Sequence, residues 1–225
     1  MTSSIFEQSI ACADEIVKRF QAVGVPHKEN YTEVYPSVDF SFESDNFRRA
    51  HLSIVDARES KKIWMMHCCI FPTLTDPSPI FGFDIIAGAT RASGAFQDFS
   101  CGGDIDHPMM KWFSRRAQEA AWKRERELPE WGQRIFSKDM VAVGNLDDLE
   151  LYKFIRFGLE NLDYYLANVG NTKGARLDTR VKHNYYCENQ KLNPHTPRFM
   201  QSLGLNEMQA SKFMNEVLFP ELDKY

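Results

Sequence analysis

Three runs of alternating residues, separated by short connections, constrain the fold of this chain most. In residues 47–57 (FRRAHLSIVDA), Ala50, Leu52 and Ile54 fall on one face, and His51 and Ser53 on the other. In residues 61–72 (KKIWMMHCCIFP), Trp64, Met66, Cys68 and Ile70 oppose Met65, His67, Cys69 and Phe71. In residues 79–88 (PIFGFDIIAG with its leading proline), Phe81, Phe83 and Ile85 oppose Gly82, Asp84 and Ile86. Period-two alternation bounded by Pro and Gly predicts strands, and short links predict antiparallel neighbours. Residues 94–102 (GAFQDFSCG) and the β-prone residues 31–42 extend the series on either side.

The flanks have helical spacing. Ile5, Phe6, Ile10, Ala13, Ile16, Val17 and Phe20 predict an amphipathic helix ending before Gly24 and Pro26. Residues 107–131 predict a helix ending near Pro129, followed by a short apolar stretch around Val141. Residues 145–169 predict a long helix with Asn145 or Asp147 near its start. Residues 177–193 and 206–219 predict two more. Strands first and helices after predict an antiparallel sheet covered by helices, in one domain spanning residues 1–225.

Bulk properties narrow the function. A hydrophobic content of 43% with 26% charged residues is that of a globular protein. The net charge of −4 argues against a general nucleic-acid binder. No apolar run approaches a membrane span, and residues 1–20 lack the pattern of a secretory signal. Cys12, Cys68, Cys69, Cys101 and Cys187 are odd in number and show no C-x-x-C spacing, which predicts reduced cytosolic thiols and no metal centre. Redox chemistry would then need an electron carrier from outside. The 17 Phe either fill an ordinary core or line a pocket for a flat apolar ligand.

Chemistry centres on His67 and Asp84. A carboxyl in so apolar a segment resists ionisation when buried, and a protonated carboxyl is a proton donor. A neighbouring imidazole can relay that proton. The alternative is a hydrogen-bonded core histidine and an aspartate capping a turn after Gly82. If their strands are neighbours, His67, Asp84, Ser53 and Ser93 can face one cavity. Residues 87–94 (AGATRASG) lack the spacing and lysine of a phosphate loop. His107 and His183 are expected at the surface or at helix caps. Lys111, Arg115, Arg116, Lys123, Arg124 and Arg126 give one helix a basic face. That face is either solvated, with pairs to Glu119, Glu125 and Glu127, or a docking patch for an acidic protein.

Taken in order, MMHCCIFP (65–72), PSPIFGFDIIAG (77–88), LPEWGQRIFS (128–137), YYCENQKLNP (185–194) and FMNEVLF (213–219) resemble the ferredoxin-dependent bilin reductases, nearest their phycocyanobilin-forming members. The resemblance implies a three-layer α/β/α sandwich with a central antiparallel sheet and the bilin between the sheet and the C-terminal helices. It implies a biliverdin IXα substrate, no bound metal or flavin, single electrons from an external 2Fe–2S ferredoxin, bilin radicals and a monomeric enzyme. By position, Asp84 matches the aspartate that protonates the bilin, and His67 the histidine that binds the lactam or relays protons. Ser93 falls where a serine contacts a propionate. Ser53 stands where the phycocyanobilin-forming enzymes carry a glutamate for D-ring vinyl reduction. Gln190 and Asn193 keep the Q-x-x-N element, but Pro194 follows where an aspartate serves A-ring chemistry. His195 is the candidate to replace it. Loss of the glutamate points towards phycoerythrobilin, as in viral relatives, with phycocyanobilin or a two-electron product as alternatives. A bilin carrier without activity is the rival class.

Overall fold

The computed structural model describes residues 4–29, 31, 33–100, 106–123, 125–172 and 179–223. Seven strands form one sheet in sequence order, antiparallel throughout: β1 Val25–Pro26, β2 Val38–Glu43, β3 Phe47–Ala57, β4 Ile63–Pro72, β5 Ile80–Gly88, β6 Ala92–Ser100 and β7 Val141–Val143. The alternating runs become β3, β4 and β5. Among the described β-prone residues of 31–42, those from Val38 onwards enter a strand.

Helices cover both faces, giving the three expected layers. On one side lie α1 (Ile5–Val23), α3 (Pro108–Ala120) and α5 (Asp148–Asn168); the single turn α2 (Arg58–Lys61) links β3 to β4. Leu52, Met66, Cys68, Phe81, Phe83, Ile85 and Phe99 point from the sheet into this layer and are fully or almost fully buried. Burying such side chains stabilises the fold by roughly 1.5–3 kcal/mol each, before the entropy of ordering them. α5 starts at Asp147, whose side chain forms a capping box with Glu150, while Asn145 turns the preceding chain with φ 57°. Gly158 lets α5 approach the sheet: a Cβ there would lie 2.3 Å from Phe83 Cζ. Two buried amides join the same layers, with Asn161 Nδ2 donating to Gln97 Oε1 at 2.7 Å.

The other face carries α4 (Glu130–Gln133), α6 (Thr179–Gln190), α7 (His195–Ser202) and α8 (Glu207–Lys212), which runs into a π-helical segment, Phe213–Leu218. Their core residues meet Val55, Cys69, Phe71 and Ile80 of the sheet. Arg49 ties the end of the chain to the sheet: it pairs with Glu29 at 2.8 Å and donates to the Val217 carbonyl at 2.6 Å.

Two helix expectations change. The helix expected to reach Pro129 stops at Ala120, because Ala121 adopts a left-handed conformation (φ 47°). The chain beyond it joins the sheet edge, where the Arg126 N–H donates to the Ala142 carbonyl at 2.7 Å. α7 was not foreseen. His107 does cap α3, accepting from the Met109 N–H at 3.2 Å, but it is buried, and so is His183. No helix among the described residues is long and apolar enough to cross a membrane.

Candidate active site

The antiparallel register places five residues on one rung across the sheet: Asp39 opposite Ser53, Ser53 opposite His67, His67 opposite Asp84, and Asp84 opposite Phe96. Directly opposed residues point to the same face, here the face under α6 and α7. His67 Nδ1 lies 2.8 Å from Asp84 Oδ1. A single proton between these atoms can reside on either, so the pair can hold or release one proton without moving a heavy atom. The His67 ring meets Phe219 edge-on at 5.1 Å, and its Nε2 is buried with no hydrogen-bond partner among the described residues. The Ser53 hydroxyl is buried as well, next to Asp39 on the rung.

Above this rung lies a cavity of about 1060 Å³ between the sheet and the C-terminal helices. Ser53, His67 and Asp84 lie on its floor, and Gln190, Asn193 and His195 line the opposite wall and rim. Asp84 is not sealed in the core as its apolar neighbours led us to expect. Its side chain is 34% exposed, against 16% for His67, and it opens into the cavity. His51, two residues from Ser53 on the same face of β3, is fully buried. Burial, reinforced by the Arg49 charge, lowers its pKa to about 4, so it is neutral at pH 7.

Ser93 does not join the group. It is the unpaired residue of a bulge between Ala92 and Gly94, is exposed, and donates its hydroxyl to the Ile86 carbonyl at 3.3 Å. Alternation from Phe96 and Gly94, which share the Asp84 face, would turn Ser93 to the opposite face, and the bulge leaves it exposed instead.

The basic helix is also displaced from the site. α3 packs on the layer opposite the cavity, with Phe113 stacked on Phe99 at 4.7 Å. Arg116 pairs with Glu160 at 2.5 Å, Arg115 with Glu119 at 4.0 Å and Lys111 with Asp106 at 3.7 Å. Lys123 lies beyond the end of the helix, and Arg124 and Cys101 lie outside the described residues.

Sequence reasoning missed several lining residues. Asp98 faces the cavity layer from β6, opposite Gly82. Burial pushes its pKa up to about 6, against hydrogen bonds from Ser100 and Ser137. Its alternation with Phe96 and Ser100 was the available signal. Tyr186 lies one helical turn before Gln190, and Arg126 and Arg198 stand at the rim.

Comparison with known proteins agrees with this geometry. The family model described as ferredoxin-dependent bilin reductase matches residues 29–220. The phycocyanobilin:ferredoxin oxidoreductase of Trichodesmium erythraeum is 26% identical over 185 residues, covering 79% of this chain and 74% of its own. A Synechococcus enzyme of the same name is 28% identical over 185 residues, covering 79% and 73%. The solved structure of a protein named PcyX superposes with a TM-score of 0.70 and 33% identity, covering 95% of this chain and 99% of that one. Tomato phytochromobilin synthase, solved in complex with biliverdin, shares the fold, with a TM-score of 0.65 at 13% identity and coverage of 95% and 82%. The sheet, the cavity beside its His67–Asp84 pair and these matches identify the chain as an oxidoreductase of the ferredoxin-dependent bilin reductase family.

Proposed function

We propose that the enzyme reduces biliverdin IXα by four electrons to phycoerythrobilin, through bilin radicals, with Asp84 and His67 supplying protons. The observation that carries this reading is the 2.8 Å contact between His67 and Asp84 on the floor of a cavity large enough for a tetrapyrrole. Each electron placed on the conjugated bilin makes it more basic, and a carboxyl–imidazole pair beside it can then deliver a proton. Electrons come from a 2Fe–2S ferredoxin, since the chain itself is read as holding no redox centre. Ser53, next to His67 on the rung, favours the phycoerythrobilin product. A hydroxyl is far less acidic than the carboxyl it replaces, which disfavours protonation at the D-ring vinyl group. A second reduction at the A ring completes the reaction, with His195 and Asn193 at that end.

Arg126 and Arg198, exposed at the rim, suit the two propionates. Because α3 lies on the far layer with paired charges, we place ferredoxin at the cavity side of a monomeric, cytoplasmic enzyme. The alternative product is phycocyanobilin on the same site. The test is Asp84→Asn with biliverdin and reduced ferredoxin. The reading expects retained binding with turnover reduced by about 100-fold or more. Unchanged turnover would remove Asp84 from the mechanism, and a wild type that binds biliverdin without ever reducing it would be a carrier.

A further inference from the structure

Tyr186 and Gln190 project from α6 into the cavity one helical turn apart, and Gln190 Nε2 donates to the Tyr186 hydroxyl at 2.8 Å. Phe71 and Phe136 meet the tyrosine ring edge-on, at 5.9 and 6.3 Å, so the hydroxyl cannot swing away. Beneath it is Gly82, where a Cβ would find the Tyr186 hydroxyl as its nearest neighbour, at 3.7 Å. The floor is therefore open at Gly82, and the protein itself would tolerate a methyl group there. Gly82 does not adopt a positive φ, so what its lack of a side chain provides is space.

We infer that Tyr186 and Gln190 are a lactam-recognition pair, seating one end ring of the bilin in the space over Gly82. This rests on the bilin reductase reading and adds binding residues to it. A lactam edge presents one N–H and one carbonyl. Tyr186 already accepts from Gln190 and keeps its own O–H to donate to the carbonyl. The Gln190 Oε1 accepts from the N–H. The Tyr186 hydroxyl also lies towards the Cys69 sulfur, a weak acceptor that a lactam oxygen would outcompete. Asp98 does not compete, because Ser100 and Ser137 occupy both its oxygens. Gly82 and Asp84 are two residues apart on one face of β5, roughly 7 Å along the strand. A ring held over Gly82 thus places the adjoining conjugated system over Asp84 and His67.

The experiment titrates the full chain with biliverdin, reading visible absorbance, for the wild type, Tyr186→Phe and Gly82→Ala, with Tm measured for each. The inference expects Tyr186→Phe to raise Kd about 3- to 10-fold, the loss of one hydrogen bond, and to move the absorption maximum of the bound bilin. Gly82→Ala is expected to raise Kd at least as much with Tm unchanged. Tyr186→Phe that lowers Tm but leaves Kd and the absorption maximum at wild-type values would overturn it, assigning the tyrosine a structural role. So would Gly82→Ala that binds as the wild type does. A wild type that does not bind biliverdin would instead overturn the bilin reductase reading.

Discussion

His67 and Asp84 are directly opposed on β4 and β5, and the 2.8 Å contact between Nδ1 and Oδ1 follows from that register. A slip of one residue on either strand would turn one partner to the α1 and α5 layer, where the neighbours are Phe and Ile. The surrounding sheet, anchored by buried Cys68 and Phe83 on its reverse face, therefore fixes the pair. His67→Gln keeps a hydrogen-bonding group but cannot carry a proton at neutral pH. Biliverdin binding is expected to persist, with single-turnover reduction slowed by roughly 100- to 10,000-fold. Single-turnover absorbance with pre-reduced ferredoxin is the measurement, and an unchanged rate would show that Asp84 acts without the imidazole.

Ser53 adjoins His67 on the same rung, and its hydroxyl is buried. Ser53→Glu places a carboxyl there. We expect phycocyanobilin to appear among the products, read by chromatography against bilin standards. An unchanged product mixture would place the control of regiochemistry elsewhere.

Gly158 is the contact point between α5 and the sheet. Ala favours helix more than Gly, yet its Cβ would lie 2.3 Å from Phe83 Cζ and 2.6 Å from Cε1. Overpacking outweighs propensity, and Gly158→Ala is expected to cost about 1–3 kcal/mol. Thermal unfolding should show a Tm lower by several degrees, with Phe83→Leu in the same chain restoring part of the loss. A stabilised Gly158→Ala protein would show that the layers can separate at no cost.

Asp98 couples stability to pH. Burial raises its pKa from 3.8 to about 6 in the folded protein. Between about pH 4 and 6 the folded state therefore holds a proton that the unfolded chain has released. This contribution is fully present below pH 4, is lost as pH rises to about 6, and is flat above. Its size is on the order of 3 kcal/mol. His51, with a pKa lowered to about 4 by burial, acts in the opposite sense, adding stability as pH rises through the same window. The comparison of wild type with Asp98→Asn cancels His51. Denaturant unfolding should show the wild type losing stability relative to the variant from pH 4 to 6. A pH-independent difference would refute the assignment.

The sequence made the central sheet legible because β3, β4 and β5 alternate strictly and their ends are marked by Pro72, Pro79 and Gly88. The placement of Ser53, His67 and Asp84 on one face followed from that period. Ser93 falls outside that group because it is out of phase with Gly94 and Phe96, which share the Asp84 face, and it sits in a bulge that carries no compositional mark. The end of α3 at Ala121 was illegible for a related reason: a left-handed Ala mimics a glycine cap without the glycine. Asp98 was visible in the alternation of β6 but had no strong apolar setting to draw attention. The wall formed by Tyr186, Gln190 and His195 depends on how α6 and α7 pack on the sheet, which local spacing does not encode.

The most direct test is anaerobic incubation of the wild-type chain with biliverdin, ferredoxin, a ferredoxin reductase and NADPH, with products identified by absorbance and chromatography. The account predicts phycoerythrobilin after uptake of four electrons per bilin. A stable biliverdin complex with no reduction, using ferredoxin active towards a control reductase, would contradict it.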